Sequence, residues 1–198
     1  MSGARIVVLA SGSGSNLQAV LDATDDGRLR ALVAGVVSDR PDAAALARAI
    51  RAGIEATPLP SLPGEGRHAY DGRLADAVAR FTPDWIVLAG WMRLLSMSFL
   101  GRFPGRVVNL HPALPGEFPG LHAIDRAHAA AAAGTISRTG VMVHLVPDEG
   151  VDDGPVLGWR EVPILGTDSL ADLEARIHDV EHELLVEVLA RQLVLEDR

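Results

Sequence analysis

Arg5-Ile6-Val7-Val8-Leu9-Ala10-Ser11-Gly12-Ser13-Gly14-Ser15-Asn16 is the stretch on which the fold turns. Ile6 to Ala10 are apolar without interruption. A strand with one wet face would alternate; one that is apolar throughout is buried on both faces, as in a parallel sheet covered by helices. The small, Gly-rich turn that follows leads into residues 16–23, which read as a helix. Working outward, residues 31–38 form a second apolar run, and Pro41 opens a helix rich in Ala and Arg to about Gly53. Residues 54–59 suit a short third strand. Residues 67–81 have helical spacing, with Tyr70, Leu74, Ala77, Val78 and Phe81 on one face. Residues 84–89 make a fourth strand closed by Gly90. Strands alternating with helices in this way predict a right-handed α/β fold, Rossmann-like, with a mostly parallel twisted sheet flanked by helices.

The second half is less regular. Residues 106–110 read as a strand, and residues 112–122 as a loop broken by Pro112, Pro115, Gly116, Pro119 and Gly120. An Ala-rich helix is expected over 122–134, strands over 139–146 and 156–164 that pair across the 148–154 loop, and a long amphipathic helix over 168–195. One domain spanning 1–198 is expected, built of a 1–105 half and a 106–198 half.

Composition narrows the chemistry. With 198 residues and 48% hydrophobic content, the chain can bury a sizeable core without staples. Its formal charge of −8 argues against nucleic acid as a partner. All 18 basic residues are Arg, which removes Schiff-base lysines and a P-loop lysine. There is no Cys, so no thiol nucleophile or zinc ribbon. No leader pattern and no membrane-length apolar run is seen, so a cytoplasmic protein is expected.

The loop Ser11–Asn16 would expose backbone N–H groups at the positive end of a helix. Three readings of it stand: a tight turn that binds nothing, a monophosphate site, or a dinucleotide site aided by Asp39. The dinucleotide pattern G-x-G-x-x-G is met at Gly12 and Gly14 only, since Leu17 holds the third place. Ser15 and Asn16 are also good helix caps.

In Val107-Val108-Asn109-Leu110-His111-Pro112 a buried strand ends at proline. Asn109 and His111, two apart on an extended chain, point the same way. An amide and an imidazole at a strand's C-terminal end can stabilise an oxyanion, and Asp152 from the later loop can support the imidazole and help move protons. That set suits acyl transfer to an amine with neither metal nor covalent intermediate. Asp153 is the fallback for Asp152. His178-Asp179-Val180-Glu181-His182 fits the short H-x-x-E-H zinc pattern, but no third ligand accompanies it, and no metal is expected.

Several separate stretches resemble the phosphoribosylglycinamide formyltransferase family over nearly the whole chain. They are Ser11-Gly12-Ser13-Gly14-Ser15-Asn16-Leu17-Gln18-Ala19, Leu88-Ala89-Gly90-Trp91-Met92-Arg93-Leu94-Leu95, Asn109-Leu110-His111-Pro112, Phe118-Pro119-Gly120-Leu121-His122 and Asp148-Glu149-Gly150-Val151-Asp152-Asp153-Gly154-Pro155. The resemblance implies formyl transfer from 10-formyltetrahydrofolate to glycinamide ribonucleotide, in purine biosynthesis, on a formyltransferase fold. It implies a phosphate site at Gly14, Ser15 and Asn16, assisted by Arg67, with the Gly90 carbonyl and Glu181 on the glycinamide part and His178 near the phosphate. Met92, Arg93, Leu94 and Leu95 would line the folate pocket with backbone from Val143 to Asp152, and Asn109, His111 and Asp152 would be catalytic, Asp152 holding His111 in its cationic form. The 1–105 half would then bind the nucleotide phosphate, and the 106–198 half folate. The partners implied are these small molecules alone, with no nucleic acid and no membrane, and with room for a homodimer. Acceptors such as methionyl-tRNA or water rank lower, because the enzymes that use them carry further domains. One departure stands out: the family usually reads Ser-Leu-Leu-Pro after Pro112, then often a basic residue, where this chain has Ala113-Leu114-Pro115-Gly116-Glu117.

Overall fold

The computed structural model describes residues 3–196, with side chains as far as Leu193. The elements run β1 (Ala4–Leu9), α1 (Ser15–Asp25), β2 (Ala31–Ser38), α2 (Ala44–Arg51), β3 (Ala56–Pro58), α3 (Arg67–Ala79), β4 (Trp85–Leu88), α4 (Met97–Leu100), β5 (Val107–His111), α5 (Ala123–Ala132), β6 (Arg138–Leu145), β7 (Val156–Pro163) and α6 (Leu170–Glu196). They build one seven-stranded sheet, ordered β3-β2-β1-β4-β5-β6-β7. β1 to β5 are parallel, and β6 and β7 are antiparallel, continuing the sheet past the midpoint of the chain.

The uninterrupted apolarity of β1 is explained by burial on both faces. Ile6 and Val8 pack with Leu17, Val20 and Leu185 on one side, below α1 and α6. Val7 and Leu9 pack with Tyr70, Leu74 and Phe99 on the other, below α3 and α4. All four of these strand residues are fully buried, each worth roughly 1.5–3 kcal/mol relative to exposure.

Three differences from the sequence reading have local causes. The third strand keeps only Ala56–Pro58 at the sheet edge, where Pro58 is tolerated because the neighbouring Leu59 N–H, not its own, meets β2, donating to Ser38 O at 2.7 Å. α2 starts at Ala44 rather than Pro41, with Ala43 at its N-cap offering no side-chain hydrogen bond. α4 was not expected; it is a single turn that drops Phe99 and Leu100 into the second core, where Phe99 meets Phe103 at 5.0 Å between ring centres.

Candidate active site

The chain reverses direction across the sheet at β1, whose neighbours are β2 on one side and β4 on the other. Ligands of open α/β sheets bind at such a switch point, beyond the carboxyl ends of the strands. A cleft of about 840 Å³ lies there. Ser11–Asn16 after β1 and Leu88–Leu95 after β4 line it, and Asn109, His111, His144, Asp152, His178 and Glu181 close it.

At the β1 end, Gly14 takes a left-handed conformation (φ 71°, ψ 29°) and is itself the N-cap of α1, so Ser15 is the first helical residue and no side chain caps the helix. A Cβ at Gly14 would stand 2.7 Å from Ala45 Cα, so α2 lies hard against the loop. Ser11 joins the two strand ends: its N–H donates to Gly90 O (3.0 Å), and its hydroxyl accepts from Met92 N–H (3.0 Å). Asn16 Nδ2 donates to Glu181 Oε2 (3.1 Å), and that oxygen also faces His178 Nδ1 at 2.7 Å. Asn16 and Glu181 are buried, with Asn16 Oδ1 unpartnered. The hydrogen bond to Glu181 raises the His178 pKa, against the opposing effect of burial. His182 lines a separate hollow behind α1, so the two imidazoles of the H-x-x-E-H stretch do not converge. Among the described residues, no group of three His, Asp or Glu side chains is placed to hold a metal ion.

At the centre, β5 delivers Asn109 and His111, and the 148–154 loop delivers Asp152. Asn109 Nδ2 donates to Asp152 Oδ1 (2.9 Å), and His111 Nδ1 stands 3.2 Å from Asp152 Oδ2. Two further groups complete the cluster. Gly120 N–H donates to Asp152 Oδ2 (2.8 Å), and His144 on β6 sets Nε2 3.2 Å from Asn109 Nδ2 and 3.4 Å from Asp152 Oδ1. His144 Nδ1 faces the Leu145 carbonyl at 2.8 Å, which fixes the ring's orientation. Register explains the meeting of Asn109 and His144, which are directly paired across β5 and β6. Asp152 holds φ 54°, an uncommon conformation that Asp tolerates better than most residues. Asp153 is exposed and outside the cleft lining, so geometry selects Asp152 over its neighbour.

The charges of this cluster are set by competing effects. Burial works to raise the Asp152 carboxyl, but the His144 ring, the Gly120 N–H and the His111 charge outweigh it and hold the pKa below its ordinary value. Burial dominates at His111, which is 4% exposed, and lowers its pKa despite the opposing pull of Asp152 and the Phe118 carbonyl. Asp152 thus favours the cationic ring, as expected, but its pull does not outweigh burial. Both ring nitrogens do face acceptors, with Nε2 3.1 Å from Phe118 O, so the pocket is shaped for the doubly protonated ring while its dryness resists the charge.

At the β4 end, Met92 and Leu94 are 53% and 54% exposed and offer an apolar wall, whereas Leu95 is buried beneath it. Arg93 lies over the Tyr70 ring, 4.0 Å from its centre. Arg67 is placed with this wall rather than beside the Ser11–Asn16 loop. It donates to Leu94 O (3.1 Å) and Leu95 O (2.7 Å) and pairs with Glu149 at 3.1 Å, and it does not line the cleft. Val143 is likewise outside the cleft. Strand alternation turns it into the core with Val141, and its neighbours His144 and Val146 take the cleft side. The unusual Ala113–Glu117 turn folds inward: Ala113 and Leu114 are buried, and Glu117 pairs with Arg138 (3.8 Å) at the start of β6, away from the cleft. His128 Nε2, on α5, meets the Asp168 carbonyl at 3.0 Å.

The Asn109–His111–Asp152 cluster thus sits in a switch-point cleft between the Ser11–Asn16 loop and an apolar wall, and the chain belongs to the formyl transferase family, whose model matches residues 4–189. Within it the chain is similar to phosphoribosylglycinamide formyltransferases. The one from Schizosaccharomyces pombe is 44% identical, covering 98% of this chain and 99% of its own length. That of Escherichia coli is 41% identical over 90% of this chain and 82% of its own. The crystal structure of glycinamide ribonucleotide transformylase 1 from Symbiobacterium toebii superposes with a TM-score of 0.90 at 41% identity, covering 96% of this chain and 88% of that one. No helix among the described residues is long and apolar enough to cross a membrane.

Proposed function

We propose that this chain transfers the formyl group of 10-formyltetrahydrofolate to the amine of glycinamide ribonucleotide, a step of purine biosynthesis. One observation carries the reading: a single cleft holds the Ser11–Asn16 loop at one end, the Met92–Leu95 wall at the other, and Asn109, His111 and Asp152 between them. The loop suits a ribonucleotide phosphate, with Glu181 and the Gly90 carbonyl for the glycinamide part beside it. The wall suits the folate ring system, and Arg67 belongs in this reading to the folate side.

The amine attacks the formyl carbon, and negative charge gathers on the formyl oxygen. Asn109 donates its amide to that oxygen. His111, whose proton affinity is lowered by burial, gains affinity as the oxyanion forms beside it, so the imidazolium is favoured when it is needed. Asp152 orients both donors and passes protons from the attacking to the leaving nitrogen, directly or through water. No step requires a metal.

Tetrahydrofolate release, followed by absorbance with and without glycinamide ribonucleotide, tests the proposal. Release that depends on the ribonucleotide is expected; release at the same rate without it would refute the assignment of the acceptor.

A further inference from the structure

We propose that Arg48, on α2 and outside the cleft, is a positioning residue that aims the backbone N–H groups of the Ser11–Asn16 loop at the ribonucleotide phosphate. The inference rests on the function proposed above. Arg48 Nε donates to Ser13 O at 2.9 Å. One residue earlier, Ala45 N–H, also from α2, donates to Gly12 O at 3.1 Å. Two consecutive carbonyls of the loop are thus drawn toward α2. In a trans peptide the carbonyl and the following N–H point in opposite directions, and no cis bond occurs among the described residues. Drawing the Gly12 and Ser13 carbonyls toward α2 therefore turns the Ser13 and Gly14 N–H groups away from it. The residues of that loop line the cleft and those of α2 do not, so away from α2 is toward the ligand. Consecutive N–H groups leading into a left-handed residue, here Gly14, form a concave anion seat.

Arg48 is held so that it can do this. Its Nη1 donates to Gln18 Oε1 at 3.2 Å, and Gln18 Nε2 in turn donates to Asp22 at 2.8 Å, so the guanidinium bridges the loop and the first turns of α1. The planar fork fixes the angle between its two bonds, which a lysine would not. Its side chain also packs close to the seat: Arg48 Cδ would be 3.3 Å from a Cβ on Gly14.

The test compares Arg48→Met, Arg48→Gln and Arg48→Lys with the unaltered protein by steady-state kinetics, and by calorimetric titration with glycinamide ribonucleotide and with inorganic phosphate. Arg48→Met should raise the KM and Kd for the ribonucleotide about tenfold, the scale of one charge-assisted hydrogen bond, and weaken phosphate similarly. The KM for 10-formyltetrahydrofolate and the kcat at saturation should stay within about threefold, because no described residue of α2 lines the cleft that holds the wall and the Asn109 cluster. Arg48→Lys, which keeps the charge and one donor, should recover part of the loss. An unchanged ribonucleotide KM, or equal changes in both KM values and kcat, would overturn the role. If Arg48→Met fails to fold, Arg48→Gln, which keeps a neutral donor, carries the same comparison. An unaltered protein without ribonucleotide-dependent turnover would refute the proposed function; the phosphate titration would still decide on Arg48.

Discussion

Asp152→Asn strikes the site where its bonds converge. The carboxylate accepts the Asn109 amide at 2.9 Å on one oxygen and the Gly120 N–H at 2.8 Å on the other. Asparagine has a single acceptor oxygen, so one of these two bonds becomes a donor–donor contact whichever way the new amide is turned. An unmet donor in a partly buried site costs about 1–3 kcal/mol. For a chain of this size that lowers Tm by roughly 2–4 °C per kcal/mol, or about 2–12 °C. The backbone is not the source of this cost, because Asn tolerates the left-handed φ of 54° as well as Asp does. Asp152→Ala lacks that tolerance and should lose ~1 kcal/mol more. Catalysis should suffer further: with Asn109 and His111 no longer held, turnover should fall ~10²-fold or more, about 2.7 kcal/mol of transition-state stabilisation. The loss should appear equally in kcat and kcat/KM, since the group acts on the transition state. Calorimetry and the tetrahydrofolate release assay measure the two effects. Turnover within about threefold of the unaltered protein would refute the chemistry assigned to this cluster, whatever the Tm.

Gly14→Ala forces a side chain onto φ 71° and against Ala45 Cα at 2.7 Å, backbone that cannot yield. It should cost at least ~1–2 kcal/mol in urea unfolding and raise the ribonucleotide KM before the folate KM. Gly140→Ala drives a Cβ into the Leu114 side chain and to 2.5 Å from Arg160 O, so a loss of about 1–3 kcal/mol is expected; an unchanged urea midpoint would refute the packing described for the 113–117 turn. His178 has a folded pKa raised above its ordinary 6.5, so its pairing with Glu181 stabilises fully below that value and fades as pH rises through the folded pKa. In Tm measured against pH, His178→Gln should lose most at low pH and approach the unaltered protein at high pH; a pH-independent difference would count against the pair.

The sheet was legible because its signal is local. Five apolar residues in a row report burial on both faces wherever they stand, and β1 and β2 lie where the pattern put them. The Asn109–His111 pairing was legible for a similar reason: period-two alternation sets both side chains on one face. What was hidden depended on partners distant in sequence. Arg67 finds two backbone carbonyls 27 and 28 residues away, and carbonyls leave no mark in a sequence. Val143 follows the alternation, yet a boundary drawn through backbone could not say which side of the strand faced the ligand. The depressed pKa of His111 arises from burial of the ring, which outweighs both Asp152 and the Phe118 carbonyl that the 112–122 loop sets against it. α4 escaped notice because four residues are too few to show a helical period.

The hydrogen bond from Asn16 to Glu181 spans 165 residues and joins the first helix to the last. It has a consequence for the order of assembly on the ribosome. The β1 loop is among the first segments made, but its buried amide has no partner until nearly the whole chain has been synthesised. On the function proposed above, a growing chain carries an unfinished phosphate end through most of its synthesis, and ribonucleotide binding is expected only once α6 docks. Premature termination anywhere before Glu181 would leave the Asn16 amide without this partner.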